Sequence, residues 1–111
     1  MKVLLTLVMV LAILGGLYLA YSIFSNKKPP LSAANIHGVI GLLVLGLLGY
    51  NAYSLKLSQL WIALGLLLMA AFGGLYLVNN HKKGQLGPKS AIIIHAIVGL
   101  SGIGLTLISI W

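Results

Sequence analysis

The sequence predicts an all-α protein: a four-helix transmembrane bundle, up-down-up-down, built from two tandem helical hairpins that run parallel to each other. Three observations carry this. Apolar residues fill 60% of the 111 positions and charged residues only 6%, against about 25% charge in an ordinary soluble domain. The apolar residues fall into four runs, each long enough for the roughly 20 helical residues that a bilayer requires. The second half of the chain also repeats the first, without gaps, at an offset of 58 residues.

The first span reads Val3–Phe24. Met1-Lys2 before an apolar run is how a secretory leader starts, but this run is too long, lacks a small-residue cleavage site and matches a later span. It is therefore read as mature structure. Ser25-Asn26-Lys27-Lys28-Pro29-Pro30 ends it. The second span reads Leu31–Tyr53, with Ser32 as its expected cap, and Ser54-Leu55-Lys56 follows. The third reads Leu57–Val78. The polar stretch from Asn79 to Lys89 is expected to be a loop that leaves His81 in water. The fourth span reads Ser90–Trp111, with Ser90 as the expected cap. Strands do not fit, because the runs are long and do not alternate. The whole, residues 1–111, is one transmembrane domain, with repeat 1 over about 1–53 and repeat 2 over about 59–111.

Short connections force successive spans to reverse direction. Lys27, Lys28, Lys82, Lys83 and Lys89 then lie at one end, and only Lys2 and Lys56 at the other. Positive residues collect on the cytoplasmic side. This places the first and third loops inside and both termini outside, in a membrane of the bacterial or archaeal inner or plasma type. The net charge of +7 sits between apolar runs, so anionic lipid, not nucleic acid, is its expected counterpart.

The repeat is carried by specific residues. Gly15-Gly16-Leu17-Tyr18-Leu19 recurs as Gly73-Gly74-Leu75-Tyr76-Leu77. Pro30 recurs as Pro88, Ser32-Ala33 as Ser90-Ala91, Ile36-His37 as Ile94-His95, and Gly41-Leu42 as Gly99-Leu100. Two hairpins in tandem are related by a pseudo-two-fold axis along the membrane normal. The second and fourth spans then run the same way and lie diagonally across the bundle. His37 and His95 are expected to face each other over its axis, about 9 Å into the span at 1.5 Å per residue.

The chain has no Asp, Glu or Cys. Carboxylate acid–base catalysis, Mg²⁺ or Ca²⁺ binding, thiolate chemistry, disulfides and Fe–S clusters are thereby excluded. An ionisable residue inside a membrane is costly and marks function. Two such residues at symmetry-related places form a candidate pair of imidazole ligands. They are too few for a bare Zn²⁺ or Cu²⁺ site. A haem brings four nitrogens of its own and needs only axial ligands, so one haem b per chain is the expected cofactor, with His37 and His95 as metal ligands. Gly41 and Gly99 follow each His by four residues, on its helical face, where absent side chains leave room for a flat ring. Gly15-Gly16 and Gly73-Gly74 are read as clearance or packing sites. Tyr18 and Tyr76 are candidate hydrogen-bond donors to such a ligand, and Lys27 and Lys28, with Lys82 and Lys83, are candidate counter-charges to its carboxylates. The carbonyls of Ala33 and Ala91, or a water, are the expected acceptors of the second imidazole N–H.

The segments Ile36-His37-Gly38-Val39-Ile40-Gly41-Leu42 and Ile94-His95-Ala96-Ile97-Val98-Gly99-Leu100 resemble the His-bearing helices of small membrane b-type cytochromes, the cytochrome b561-like group. The resemblance covers the two His-bearing spans and rests on a short H-x3-G-L motif. It implies bis-His haem b and membrane electron transfer, with a redox partner or larger membrane complex and with a quinone as an admissible partner. Members of that group typically carry four His ligands and two haems. This chain has two intramembrane His at one depth, which implies a single haem.

Other classes fit less well. A four-span chain also resembles the small multidrug-resistance transporters, but those depend on an embedded Glu that is absent here. A chlorophyll-type pigment protein and a cofactor-free accessory subunit of a larger complex are the remaining alternatives. The chain is expected to be an electron carrier or redox subunit before a stand-alone enzyme.

Overall fold

The computed structural model describes residues 1–111 and contains four helices and no strand. They are α1 (Lys2–Phe24), α2 (Leu31–Leu55), α3 (Ser58–Lys82) and α4 (Lys89–Ile110). All four are long and apolar enough to cross a membrane, which makes the chain an integral membrane protein. A 25-residue helix is about 37 Å long. The molecule measures 42 × 21 × 18 Å, so the four helices must lie side by side. With only Lys56 and Leu57 between α2 and α3, the chain has to turn straight back. Each helix packs on its neighbour in sequence, and α1 closes the ring against α4.

The helix starts follow from proline. Pro30 and Pro88 stand at equivalent places in the repeat, both with φ −58° and with ψ 141° and 134°. The extended backbone at each proline lets the helix begin at the next residue, Leu31 or Lys89. Ser32 and Ser90 therefore fall inside the first turn, and neither makes the expected cap hydrogen bond. The helix ends use left-handed residues: Asn26 (φ 58°), Lys56 (φ 55°) and Gly84 (φ 78°). The main departure from the sequence reading is α3, which runs four residues past Val78 to Lys82 and carries His81 in its last turn. Asn79 and Asn80 are polar but do not stop a helix. Gly84 does, through the hydrogen bond from its N–H to the His81 carbonyl at 3.0 Å.

The outer surface is apolar all round. Leu7, Leu11, Leu14, Phe72 and Ile108 are among its exposed side chains, as expected where lipid is the solvent. Hydroxyls on the helices turn back on their own backbone: Ser22 Oγ donates to Tyr18 O at 3.0 Å, and Thr106 Oγ1 to Gly102 O at 2.8 Å. Such bonds satisfy polar groups that lipid cannot.

The interior divides into two halves. Leu5, Met9, Leu48, Ala52, Leu60, Ala63 and Leu67 form a continuous buried cluster at the end that carries the termini and the α2–α3 turn. The other half, towards the two Lys-bearing loops, is hollow. It encloses a cavity of about 620 Å³ lined by all four helices, from Ala12, Val44, Leu67 and Ile103 up to Ile23, Pro29 and Lys82. The lightly packed seam between α1 and α4 is fastened at both ends. Trp111 Nε1 donates to Thr6 Oγ1 at 2.9 Å, with the Lys2 amine 4.5 Å from the Trp111 ring centroid. At the opposite end the Lys89 amine lies 5.6 Å from the Phe24 ring centroid.

Candidate functional site

His37 on α2 and His95 on α4 meet inside the cavity. Their ring centroids are 6.2 Å apart, with the ring planes at 77°. This is the arrangement expected from a tandem repeat whose second and fourth helices are diagonal.

What holds each ring comes from the partner helix of its own hairpin. A Cβ on Gly16 would lie 3.2 Å from Cε1 of His37, and one on Gly15 would lie 3.3 Å from its Nδ1. In the second hairpin, a Cβ on Gly74 would lie 3.2 Å from Cε1 of His95, and one on Gly73 would lie 3.6 Å from its Nδ1. The two Gly-Gly steps are thus bare patches on α1 and α3 against which the imidazoles lie. A helix carbonyl is normally flanked by the side chains of the following turn. At Ala70 those positions are Gly73 and Gly74, so the carbonyl is open to a neighbour. His95 Nδ1 lies 2.7 Å from Ala70 O. That bond requires Nδ1 to carry the proton, which leaves the lone pair of the neutral ring on Nε2.

The first hairpin has the same parts in a looser form. Ala12 is the repeat equivalent of Ala70, and its carbonyl lies beside His37. The contact falls short of a hydrogen bond, and His37 Nδ1 is buried without a partner. One substitution accounts for the difference. Gly102 of α4 lets α3 come so close that a Cβ there would stand 2.8 Å from Leu67 Cγ and 3.2 Å from Ala63 O. Its equivalent in α2 is Val44, which is buried. A valine does not permit that kind of backbone approach, although the His37 ring lies as near to α1 as the His95 ring lies to α3.

The expected acceptors, Ala33 and Ala91, are not used by His95; Ala70 of the adjacent helix is. Within a helix the i−4 carbonyl is already engaged by the backbone ladder and points along the axis. A bare patch on a facing helix offers the better approach. The repeated pattern Ala-x-x-Gly-Gly, at 12–16 and 70–74, was the signal for it, since a carbonyl becomes accessible when the residues three and four places on lack side chains.

The remaining candidates separate. Gly41 and Gly99 both line the cavity. A Cβ on Gly41 would meet nothing within 4 Å, whereas one on Gly99 would lie 3.7 Å from Ala70 Cβ. Gly41 therefore fronts open space and Gly99 serves helix packing. Tyr18 faces outwards, half exposed, and does not line the cavity. Tyr76 lies on a separate shallow groove of about 210 Å³ between α3 and α4, floored by the other side of His95. The repeat carries both tyrosines outward because their helices already present Gly-Gly inward. Lys27 and Lys28 are exposed in the first loop and do not line the cavity; Lys82 does. His81, expected in water, also lines it, because α3 continues through that residue.

No group of three or more His, Cys, Asp or Glu is gathered anywhere in the chain. The polar chemistry of the cavity floor is therefore the two imidazoles, His95 bonded through Nδ1 to Ala70 O and His37 without a partner at Nδ1. Comparison with protein-family models, with curated proteins and with solved structures finds no match.

Proposed function

We propose that this chain is a membrane electron-transfer protein, or the electron-transfer subunit of a larger membrane complex, holding one haem b between His37 and His95. The observation that carries the reading is the opposed imidazole pair. A metal bonded to two opposed imidazole nitrogens at about 2.0 Å keeps their ring centroids about 6.3 Å apart, and the two rings here are 6.2 Å apart. Lateral room for a macrocycle comes from the cavity, with Gly41 open on one side. Two pigments with one axial His each would not fit between rings so close.

When bound, the haem supplies reversible one-electron chemistry. The residues around it do the rest. His37 and His95 would both serve as ligands to its iron, which would favour electron transfer over oxygen or substrate chemistry. Ala70 O holds the proton of His95 on Nδ1 and so keeps Nε2 basic. Leu19, Leu42, Leu77 and Leu100 give the cavity apolar walls. The excess of Lys at the cavity end supports an orientation with that end in the cytoplasm and the termini outside. A redox partner at that face, or a quinone from the lipid, is compatible with the site.

The test is the reduced-minus-oxidised absorption spectrum of protein purified from haem-sufficient cells. The expected result is a low-spin six-coordinate b-type spectrum at one haem per chain, fully extractable into acid acetone because the chain has no Cys. Two haems per chain, or none, would overturn the reading. A chlorophyll-type spectrum would replace it with the pigment reading.

A further inference from the structure

The histidine pair is nearly symmetric, and so does not by itself decide which way round a macrocycle sits. The mouth of the cavity is not symmetric. On the second-repeat side it is lined by His81, Lys82 and Gln85. Their repeat equivalents are Ile23, Phe24 and Lys27. Ile23 gives the α1 wall an apolar face and Asn35 of α2 is the polar side chain on that half, Phe24 is taken up under the Lys89 amine, and Lys27 is exposed and does not line the cavity.

The polar side is built, not incidental. The turn after α3 folds back on its own helix: Gly84 N–H bonds to His81 O at 3.0 Å and Gln85 N–H to Asn80 O at 3.0 Å. Gly84 has φ 78°, which a residue with a side chain adopts only under strain. A Cβ on Gly87 would stand 2.7 Å from Leu77 Cδ2, so the turn lies close against α3. The result is that Gln85 is brought back to the mouth beside Lys82. The whole chain contains no Asp or Glu, so Lys82 has no side-chain counter-ion within the protein. Exposed at the mouth, it is open to an anion from outside.

We infer that His81, Lys82 and Gln85 form a carboxylate-binding subsite at the cavity mouth, which takes the acidic side chains of the ligand held by His37 and His95 and so fixes its orientation towards the α3–α4 turn. The inference rests on the haem reading. Lys82 supplies the charge, and Gln85 and His81 supply neutral donors. Ile23 on the α1 wall offers those groups no donor, and Asn35 of α2 offers a neutral amide but no charge.

The test uses the cofactor-free full chain in non-ionic micelles, titrated with haem b and with its uncharged dimethyl ester. The wild type is expected to prefer the free acid by about tenfold or more, the scale of a charged hydrogen bond. The double variant Lys82→Gln, His81→Ala is expected to lose this preference while keeping its affinity for the ester, which also shows that it is folded. The control Lys27→Gln is expected to keep the preference. Equal affinity of the wild type for the two forms overturns the subsite and leaves the haem reading standing. Loss of the preference in the Lys27 control also overturns it. If adding phosphatidylglycerol to the micelles abolishes the preference, the cluster belongs to lipid phosphates and the subsite falls. Binding of neither macrocycle removes the haem reading and the subsite together.

Discussion

Adding one methyl group to the bare patch beneath each imidazole should affect the two halves of the repeat differently. On Gly74 it would stand 3.2 Å from Cε1 of His95, and on Gly16 at the same 3.2 Å from Cε1 of His37. Both contacts are tight enough that the ring must give by a few tenths of an ångström. What differs is its freedom to do so. His95 is tied to Ala70 O at 2.7 Å, and His37 has no such tie. Alanine in mid-helix is favoured over glycine by roughly 0.5–1 kcal/mol. In Gly16→Ala the ring of His37 swings away and that gain stands, so stability is expected to be unchanged or slightly raised. In Gly74→Ala the shift stretches a bond whose net worth is about 0.5–1.5 kcal/mol and leaves a buried N–H that costs about 1–3 kcal/mol if unsatisfied. The expected net is a loss of about 1 kcal/mol, and a gap between the two variants of roughly 1–2 kcal/mol. Reversible unfolding of the cofactor-free chain in mixed micelles, followed by far-ultraviolet circular dichroism, measures it. The Nδ1–H resonance of His95 should weaken in Gly74→Ala alone. Equal losses in the two variants, or a larger loss in Gly16→Ala, would refute the assignment of the hydrogen bond as the difference between the halves.

His37→Ala and His95→Ala should each leave the bound iron five-coordinate or high-spin, and the double change should abolish haem binding, while His81→Ala should keep the low-spin spectrum; a native six-coordinate spectrum in both single variants would make these His packing residues. Gly102→Ala places a Cβ 2.8 Å from Leu67 Cγ and 3.2 Å from Ala63 O, so overpacking should cost about 1–3 kcal/mol, whereas Val44→Ala in the looser hairpin should lose only what its buried methyl groups contribute, about 1–2 kcal/mol. Trp111→Phe removes the bond to Thr6 at an exposed site, and should lower stability by no more than about 1 kcal/mol. A reporter fused after Trp111 should be active outside the cytoplasm; activity of a strictly cytoplasmic reporter there would turn the topology over.

The helices were readable from sequence because lipid leaves so little choice: every backbone group must be satisfied within its own segment, and four long apolar runs admit only helices. The starts of α2 and α4 were readable from Pro30 and Pro88. The end of α3 was not, since the polarity of Asn79, Asn80 and His81 marks the membrane surface and not the end of the helix, which Gly84 sets two residues past Lys82. The opposition of His37 and His95 could be read from the repeat alone, because two copies of one hairpin put like residues at like depth. Which carbonyl each ring meets could not, because that depends on how closely two helices pack. That distance is decided at Gly102 and Val44, seven residues and two turns away from either His. The division into a solid and a hollow half was hidden for a related reason. Leu5 and Leu60 in the core and Leu7 and Leu14 on the surface are the same residue type, so composition cannot say which side faces the interior.

The departures from the repeat are as informative as the repeat. An undiverged duplication would give two equivalent imidazoles and a cavity with no preferred sense. Here Gly102 draws α4 onto α3 and fixes His95 against Ala70, while Val44 holds α2 off α1 and leaves His37 unbonded at Nδ1. A rigid planar guest bonded to two rigid ligands would demand both distances at once, and any error would be stored as strain. One fixed nitrogen and one adjustable nitrogen remove that demand: the first sets the depth and angle, and the second closes to bonding distance. The expected mark of this division is that, in the cofactor-free chain, the His37 ring is the more mobile of the two on the ps–ns timescale, and that ligand binding quiets it more than His95. Side-chain relaxation of the two imidazoles, measured with and without haem, decides the matter. If His95 is the more mobile in the cofactor-free state, Gly102 does not do what its contact with Leu67 implies.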